Sequence, residues 1–138
     1  MNDIFENRIV ENGKTRVPVW FMRQAGRYHD HYQNLKKTNT FMELCKTPKL
    51  ACEVTMGPID EFDFDAAILF SDLLFPLEQL GMDLVYNPGP QLGYKIETLE
   101  DIKKLNHSPD SNFFNFQKEA CQELKKTLPK SKSLLGFV

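Results

Sequence analysis

The sequence predicts an α/β fold built around a parallel sheet, and three observations indicate this class. Short apolar runs recur at 17–22 ("VPVWFM"), 66–70 ("AAILF") and 133–138 ("SLLGFV"), as strands buried on both faces would. Segments with helix start signals or helical periodicity lie between these runs and are long enough to cross over a sheet. The length of 138 residues suits one domain with a modest core. Strands that alternate with crossover helices form parallel sheets.

The strands are predicted from their apolar content and from the polar residues that bound them. The clearest strand runs from Ala66 to Phe70 and stops abruptly at Ser71 and Asp72. The run at 17–22 is predicted as the first strand, and "MDLVYN" is predicted as a further short strand. The next segment, "NPGPQLG", has the composition of a turn.

The first long helix is predicted over 47–62 from its start signals. Thr47 can cap it, and Pro48 takes the first helical position, where a missing N–H costs nothing. Gly57 and Pro58 should kink or stop this helix, because proline loses a backbone hydrogen bond and clashes with the preceding turn.

The remaining segments follow from polarity and periodicity. Residues 29–40 are polar and predict a mobile surface segment, and a short helical turn is expected over Phe41–Cys45. "LLFPLEQLG" predicts a short helix ending at Gly81, and residues 98–105 predict one capped by Thr98. The strongest helix is predicted over 110–128, where apolar residues follow helical spacing. These residues are Phe113, Phe116, Ala120, Leu124 and Leu128.

Composition excludes several functions. The net charge of −2, from 17 basic and 19 acidic residues, provides no basic field for nucleic acid. No stretch reaches the roughly 20 apolar residues of a membrane span, and the polar N-terminus does not resemble a signal peptide. The three cysteines include no C-x-x-C pair, which indicates reduced thiols and a cytoplasmic protein.

The segment "FMRQAGRY" contains the first candidate site. Arg23 and Arg27 stand four positions apart around Gly26, and each presents a planar fork of donors that matches carboxylates or phosphates. Two such groups beside the end of a strand could clamp a polyanion, and the glycine would let the backbone approach it. From composition alone, pairing of the arginines with surface acids is the favoured alternative.

The second candidate is Asp72, which directly follows the clearest strand in "ILFSDLL". Ligands and catalytic groups gather at the carboxyl ends of parallel strands, so this carboxylate is placed where a functional anion would be. Capping of the following turn by Ser71 or Asp72 is an equally good explanation. Phe70 would line the pocket in the first interpretation and the core in the second.

Metal and nucleotide signals are weak. His29 and His31 flank Asp30, but without a third ligand at a suitable spacing they are better explained as solvated loop residues. Cys45 and Cys52 do not have zinc-site spacing, and no G-x-G-x-x-G follows a strand. The sequence therefore predicts no metal site.

Two stretches carry a family resemblance. "PVWFMRQAGRY" and "DAAILFSDLLFPLEQLGM" resemble the N-terminal part of the uroporphyrinogen decarboxylase family, and the likeness runs from about Pro18 to the end. The resemblance implies a (β/α)8 TIM barrel, which needs roughly 200 residues at minimum. Residues 1–16 would then be an N-terminal extension, and 17–138 the first two to three βα units. The final strand, with nothing after it to cover its faces, also suggests the front portion of a larger domain.

The resemblance also implies an activity. Members of the family remove the four acetate carboxyls of uroporphyrinogen as carbon dioxide and give coproporphyrinogen, in haem biosynthesis, without a metal or an organic cofactor. A homodimer is the implied assembly. The C-terminal part of the family contributes a tyrosine, a serine and a histidine, to which no residue of this chain corresponds.

The implied site residues match the two candidates. Arg23 and Arg27 fall on the family's substrate-binding arginines, and Asp72 falls on its central aspartate, which accepts hydrogen bonds from pyrrole N–H groups. A fixed anion there would stabilise the cation formed when a pyrrole carbon is protonated. An arginine is a candidate proton donor, although its pKa makes it a reluctant acid.

Other positions would shape the site or depart from the family. By resemblance, Gln24, Ala25 and Gly26 would form the substrate loop and Phe70 would line the cleft. After "GRY" the family usually continues with Leu-Pro and a glutamate, where this chain has "HDHY". A basic position that is often arginine is Lys36 here, which loses bidentate geometry.

Two other functions stay open at this point. Methyltransferases that act on corrinoid-bound methyl groups are related to the family and use zinc, but the intact "RQAGRY" argues against them. A short independent chain could also bind a tetrapyrrole without catalysis. The unfinished final strand argues against that alternative, since exposed apolar edges favour association.

Overall fold

The computed structural model describes residues 9–136, which form a mixed α/β arrangement. Six helices and six short strands lie within this range, and the strands form three two-stranded sheets. One sheet is parallel and two are antiparallel hairpins. The predicted α/β class is confirmed, but the parallel sheet has two strands in this part of the chain.

The described chain opens with a hairpin that the sequence analysis did not predict. Strands β1 (Ile9–Glu11) and β2 (Lys14–Arg16) pair antiparallel. Asn12 and Gly13 between them both have positive φ, 51° and 75°. Asn-Gly is the pair that two-residue hairpin turns favour, so the signal was present in the sequence.

The predicted first strand at 17–22 is wrong. These residues form no strand, and Val17 and Met22 are 79% and 74% exposed. Val19 instead exchanges hydrogen bonds with Asp65: its N–H donates to the Asp65 carboxylate at 2.7 Å, and its carbonyl accepts from the Asp65 N–H at 3.0 Å. The apolar run therefore lies against the start of another strand without joining a sheet.

The predicted mobile segment at 29–40 is also corrected. Helix α1 (Asp30–Lys36) occupies most of it, and its Tyr32 is buried against the core. Helix α2 (Phe41–Lys46) follows and confirms the predicted helical turn. It begins with a capping box in which Thr40 and Glu43 each satisfy the other's backbone N–H.

Helix α3 (Pro48–Phe62) runs through the point where the sequence predicted a break. Pro58 lies inside the helix and is fully buried, and the helix ends at Asp63 with φ of 55°. The burial of this helix against its neighbours outweighs the lost hydrogen bond at proline. Thr47 precedes it in extended conformation, but its side chain makes no capping hydrogen bond.

The parallel pair forms the centre of the fold. Strand β3 (Ala66–Ile68) pairs with the later strand β6 (Ser133–Leu135), which confirms both predicted strands, although Phe137 and Val138 lie outside the described residues. Helix α6 (Asn115–Thr127) packs on α3, which in turn lies against β3. The shared core contains Ala51, Cys52, Leu69, Ala120 and Leu124.

A second group of elements connects β3 to α6. Helix α4 (Phe75–Gln79) ends as predicted, with Gly81 in the left-handed region at φ of 87°. Strand β4 (Leu84–Tyr86) pairs antiparallel with β5 (Pro90–Leu92) and does not join β3. The segment predicted as a turn therefore contains a strand.

The last new element is helix α5 (Leu99–Lys103). Its capping box between Thr98 and Asp101 confirms the predicted cap. Across residues 9–136, none of the helices combines the length and the apolar character that a membrane crossing requires.

Candidate active site

A cavity of about 690 Å³ opens at the carboxyl end of β3. The loop at 22–28 forms one wall, and the segment at 68–74 forms another. All the predicted site residues line this cavity, namely Arg23, Gln24, Ala25, Gly26, Arg27, Phe70 and Asp72. Two stretches that are distant in sequence thus meet at the strand end where ligands of α/β folds bind. Lys36 lies in the last turn of α1 and is not among the residues that line the cavity.

Gln24 anchors the arginine loop to the scaffold. Its side chain is buried, its Nε2 donates to the Ala66 carbonyl at 3.0 Å, and its Oε1 accepts from the Phe21 N–H at 3.0 Å. Both ends of the carboxamide are therefore used inside the protein. The Tyr28 hydroxyl donates to the Gln24 carbonyl, and this bond closes the loop on itself.

Gly26 is not needed for the packing of the loop. A Cβ at this position would meet the Tyr28 ring at 3.7 and 3.8 Å, which is ordinary van der Waals contact. Its carbonyl accepts from the His29 N–H at 3.0 Å, which joins the loop to α1. A glycine that the fold does not require is consistent with a ligand that lies close to the backbone.

Arg23 and Arg27 extend into open space. Both side chains are exposed, and neither makes a hydrogen bond or an ion pair with any residue of the described range 9–136. The expected alternative, in which they pair with surface acids, is therefore not what this part of the chain shows. Arg27 lies close enough to Tyr32 to act on it: burial and then Cys45 raise the pKa of Tyr32, and the guanidinium opposes that rise.

Asp72 uses one of its two carboxylate oxygens in a hydrogen bond to the backbone. Its Oδ1 accepts from the Leu74 N–H at 2.8 Å, which holds the turn before α4. The helix itself begins after Leu74 and has no side-chain cap, but the Asp72 carboxylate caps the turn that precedes it, as the capping interpretation expected of Asp72. The carboxylate is half-buried at the cavity wall and can accept further hydrogen bonds.

Two side chains that sequence reasoning missed fix the segment around Asp72. The Thr55 hydroxyl accepts from the Phe70 N–H at 2.9 Å and donates to the Ala51 carbonyl at 2.7 Å. The Ser71 hydroxyl accepts from Gln117 Nε2 at 2.7 Å. Helices α3 and α6 thus hold the two residues before Asp72. Neither Thr55 nor Gln117 stands in a recognisable motif, so no sequence signal could have found them.

At the opposite end of β3, Asp65 forms an ion pair that was also missed. Arg16 donates to both of its carboxylate oxygens, at 2.6 and 2.7 Å, and the Asp65 side chain is 9% exposed. These hydrogen bonds hold the pKa of Asp65 below its usual range. A carboxylate directly before a buried apolar run was the available signal.

The two histidines have partners inside the fold. His29 Nε2 lies 2.6 Å from Glu61 Oε2, and His31 Nε2 lies 3.1 Å from the Glu53 carbonyl. The predicted solvated position is wrong for His29, which is buried. Among residues 9–136, no group of three histidine, cysteine or acidic side chains is arranged to hold a metal ion.

The cavity combines the guanidinium groups of Arg23 and Arg27 with the Asp72 carboxylate, and such a site can hold an anionic ligand beside a fixed carboxylate. A family model described as Uroporphyrinogen decarboxylase (URO-D) matches residues 2–138. The chain belongs to the uroporphyrinogen decarboxylase family.

Curated relatives carry the same name. A uroporphyrinogen decarboxylase of Citrifermentans bemidjiense is 46% identical over 121 residues, which cover 88% of this chain and 36% of that protein. Those of Geobacter sulfurreducens and Ruthia magnifica are each 41% identical, over 99% and 95% of this chain and 40% and 39% of theirs. The chain therefore spans well under half the length of these relatives.

Proposed function

We propose that this chain forms the N-terminal part of a (β/α)8 barrel whose complete form decarboxylates uroporphyrinogen III to coproporphyrinogen III. In this proposal residues 1–16 are an extension, and 17–138 supply the first two to three βα units. The parallel pair β3 and β6, with α6 between them in sequence, supports the barrel. The relatives that bear the enzyme's name support the activity.

One observation carries the functional proposal. Two guanidinium groups that make no hydrogen bond or ion pair with residues 9–136 share a cavity with Asp72. Uroporphyrinogen carries eight carboxylates, and an arginine fork binds a carboxylate bidentately. Arg23 and Arg27 therefore bind substrate carboxylates, while the free Asp72 oxygen accepts hydrogen bonds from pyrrole N–H groups. Phe70 lines the cleft, and Gln24, Ala25 and Gly26 set the shape of the arginine loop.

The reaction exchanges each acetate carboxylate for a proton. Protonation of a pyrrole carbon makes the ring cationic, and the ring then takes up the electrons of the C–C bond as carbon dioxide leaves. A proton added at the side-chain carbon gives the methyl group, and the proton first added to the ring is lost. Asp72 stabilises the ring cation because it is a preorganised anion, and an arginine is a candidate for the proton donor.

Assembly and location belong to the same proposal. We expect a homodimer of the complete protein, and a cytoplasmic location in which cysteines stay reduced. Cys45, Cys52 and Cys121 are all free thiols, in accord with that location. No organic cofactor, membrane or nucleic acid takes part.

The test is conversion of uroporphyrinogen by the complete protein under anaerobic conditions. We expect coproporphyrinogen and four equivalents of carbon dioxide without added metal or cofactor. Zinc analysis of the same preparation separates the corrinoid-related alternative, for which stoichiometric zinc and no porphyrinogen turnover are expected. Tight substrate binding without turnover would favour the non-catalytic alternative.

A further inference from the structure

Tyr86 has a buried hydroxyl and is not among the residues that line the cavity. Tyr86 is the last residue of β4, and its ring lies 4.5 Å from the Phe41 ring, centroid to centroid. Phe41 in turn lines the cavity. The Tyr86 hydroxyl is shielded from solvent and makes no hydrogen bond with any residue between 9 and 136. A buried hydroxyl without a partner is costly, so its position calls for an acceptor.

Tyr86 packs in the same apolar cluster as Phe70 and Leu74, which stand on either side of Asp72 in the chain, and Asp72 is the acidic group that acts most strongly on its hydroxyl. Burial raises the pKa of Tyr86 well above its ordinary value, and Asp72 raises it further, more than Cys45 and Glu78 do. The phenol is therefore neutral and carries its proton. Cys45 is also kept neutral, first by burial and then by Asp72, and Glu78 is held by Lys46 at 2.6 Å. A neutral phenol next to a carboxylate is a hydrogen-bond donor.

We propose that Tyr86 is a positioning residue for Asp72, whose carboxylate it orients by donating a hydrogen bond from behind the cavity wall. The Leu74 N–H holds Oδ1 at 2.8 Å, and the phenol restrains the rotation that this single bond leaves open. The carboxylate then presents one fixed lone-pair direction to a ligand. This inference rests on the proposed function for its catalytic consequence, but the contact itself can be measured separately.

The first measurement compares two tyrosine variants of the complete protein. Tyr86→Phe keeps the ring and removes the donor, so we expect kcat to fall about tenfold while KM stays within about twofold. Tyr94→Phe is the matched control, because its hydroxyl is also buried and without a partner in the described range. Tyr94 lies beside Lys104 and does not line the cavity, so this variant should keep the wild-type kcat.

The second measurement does not depend on activity. With tyrosine labelled at ¹³Cζ, the Tyr86 and Tyr94 signals are assigned by their loss in the two phenylalanine variants. Asp72→Asn should move the Tyr86 signal and leave the Tyr94 signal in place. Both tyrosine variants remove a single oxygen and keep the ring, so the packing around each is retained.

The outcomes separate this inference from the proposed function. The positioning role would be overturned if the Tyr86 signal does not move in the Asp72→Asn variant, or if the two tyrosine variants have equal kcat values. Either result would count against it even if the protein decarboxylates uroporphyrinogen. A Tyr86 signal that responds in a protein without decarboxylase activity would support the contact and refute the proposed function instead.

Discussion

Arginines at the two ends of β3 have opposite surroundings. At the amino end, Arg16 donates to both oxygens of Asp65 at 2.6 and 2.7 Å and ties the chain before the arginine loop to the sheet. At the carboxyl end, Arg23 and Arg27 line a cavity, and their guanidinium groups make no hydrogen bond or ion pair with residues 9–136. The same side chain is structural where the fold supplies a carboxylate and available for a ligand where it does not. Composition alone could not distinguish the two cases.

The largest expected effect is at the carboxyl end. Asp72→Asn in the complete protein should lower kcat about 100-fold or more, since in the proposed mechanism it removes the anion that stabilises the cationic ring. The free energy of unfolding should change little, because the amide oxygen can still accept from the Leu74 N–H. Asp60→Asn is the control, since Asp60 is exposed on α3 and does not line the cavity. Equal loss of activity in both variants would argue against a special role for Asp72.

A substitution at the amino end of β3 should lower the stability of the fold and leave the catalytic activity unchanged. Asp65→Asn removes the charge that Arg16 binds, and we expect a loss of about 1.5 kcal/mol in the free energy of unfolding. The value stays at the low end because Arg16 is 38% exposed and partly screened by solvent. Urea denaturation at neutral pH measures this loss, and activity per folded molecule should be retained.

The same ion pair predicts a pH dependence with a definite sign. Since the folded state lowers the pKa of Asp65, its contribution is complete above the unfolded pKa of about 3.9. It is lost as the pH falls through the folded-state pKa. The stability difference between wild type and Asp65→Asn should therefore be full at pH 7 and shrink on acidification below pH of about 4. A difference that stays constant down to the acid transition would mean that the charge of Asp65 does not stabilise the fold.

The arginines of the cavity should affect binding more than stability. Arg27→Ala should raise KM about tenfold, which is the loss expected for one charge-assisted hydrogen-bonding group. Arg27→Lys should recover part of that loss, because it restores the charge without the fork. Lys36→Ala is the control for general charge effects, since Lys36 lies outside the cavity. A large drop in melting temperature for Arg27→Ala would show that the guanidinium has a structural partner after all.

The smallest expected effect tests the scaffold behind the loop. A Cβ at Gly57 would lie 2.4 Å from His31 Cδ2, so α1 approaches α3 at a point where only glycine fits without movement. Gly57→Ala should cost about 1 kcal/mol of stability, and His31→Ala should restore it in the double variant. Gly89→Ala has nothing within 4 Å of the added Cβ and should be neutral. Additive effects of the two changes would mean that this contact does not limit the packing.

The residues of the candidate site were easier to select from sequence than the fold around them. Arg23, Arg27 and Asp72 could be selected because their chemistry is local and the strand before Asp72 is apolar. The strand predicted at 17–22 was wrong because an apolar run does not reveal whether a partner strand exists. α3 continues past Pro58 because burial outweighs local propensity, and burial depends on helices distant in sequence. The roles of the Thr55 and Tyr86 hydroxyls could not be predicted either, because they depend on groups distant in sequence.

The most direct measurement compares Asp72→Asn with Asp65→Asn in the complete protein, with porphyrinogen turnover and urea denaturation recorded on the same preparations. We predict a crossed result: Asp72→Asn keeps its stability and loses turnover, while Asp65→Asn loses stability and keeps its turnover per folded molecule. Loss of both properties together in each variant, or full turnover in Asp72→Asn, would contradict the division of β3 into a structural end and a functional end.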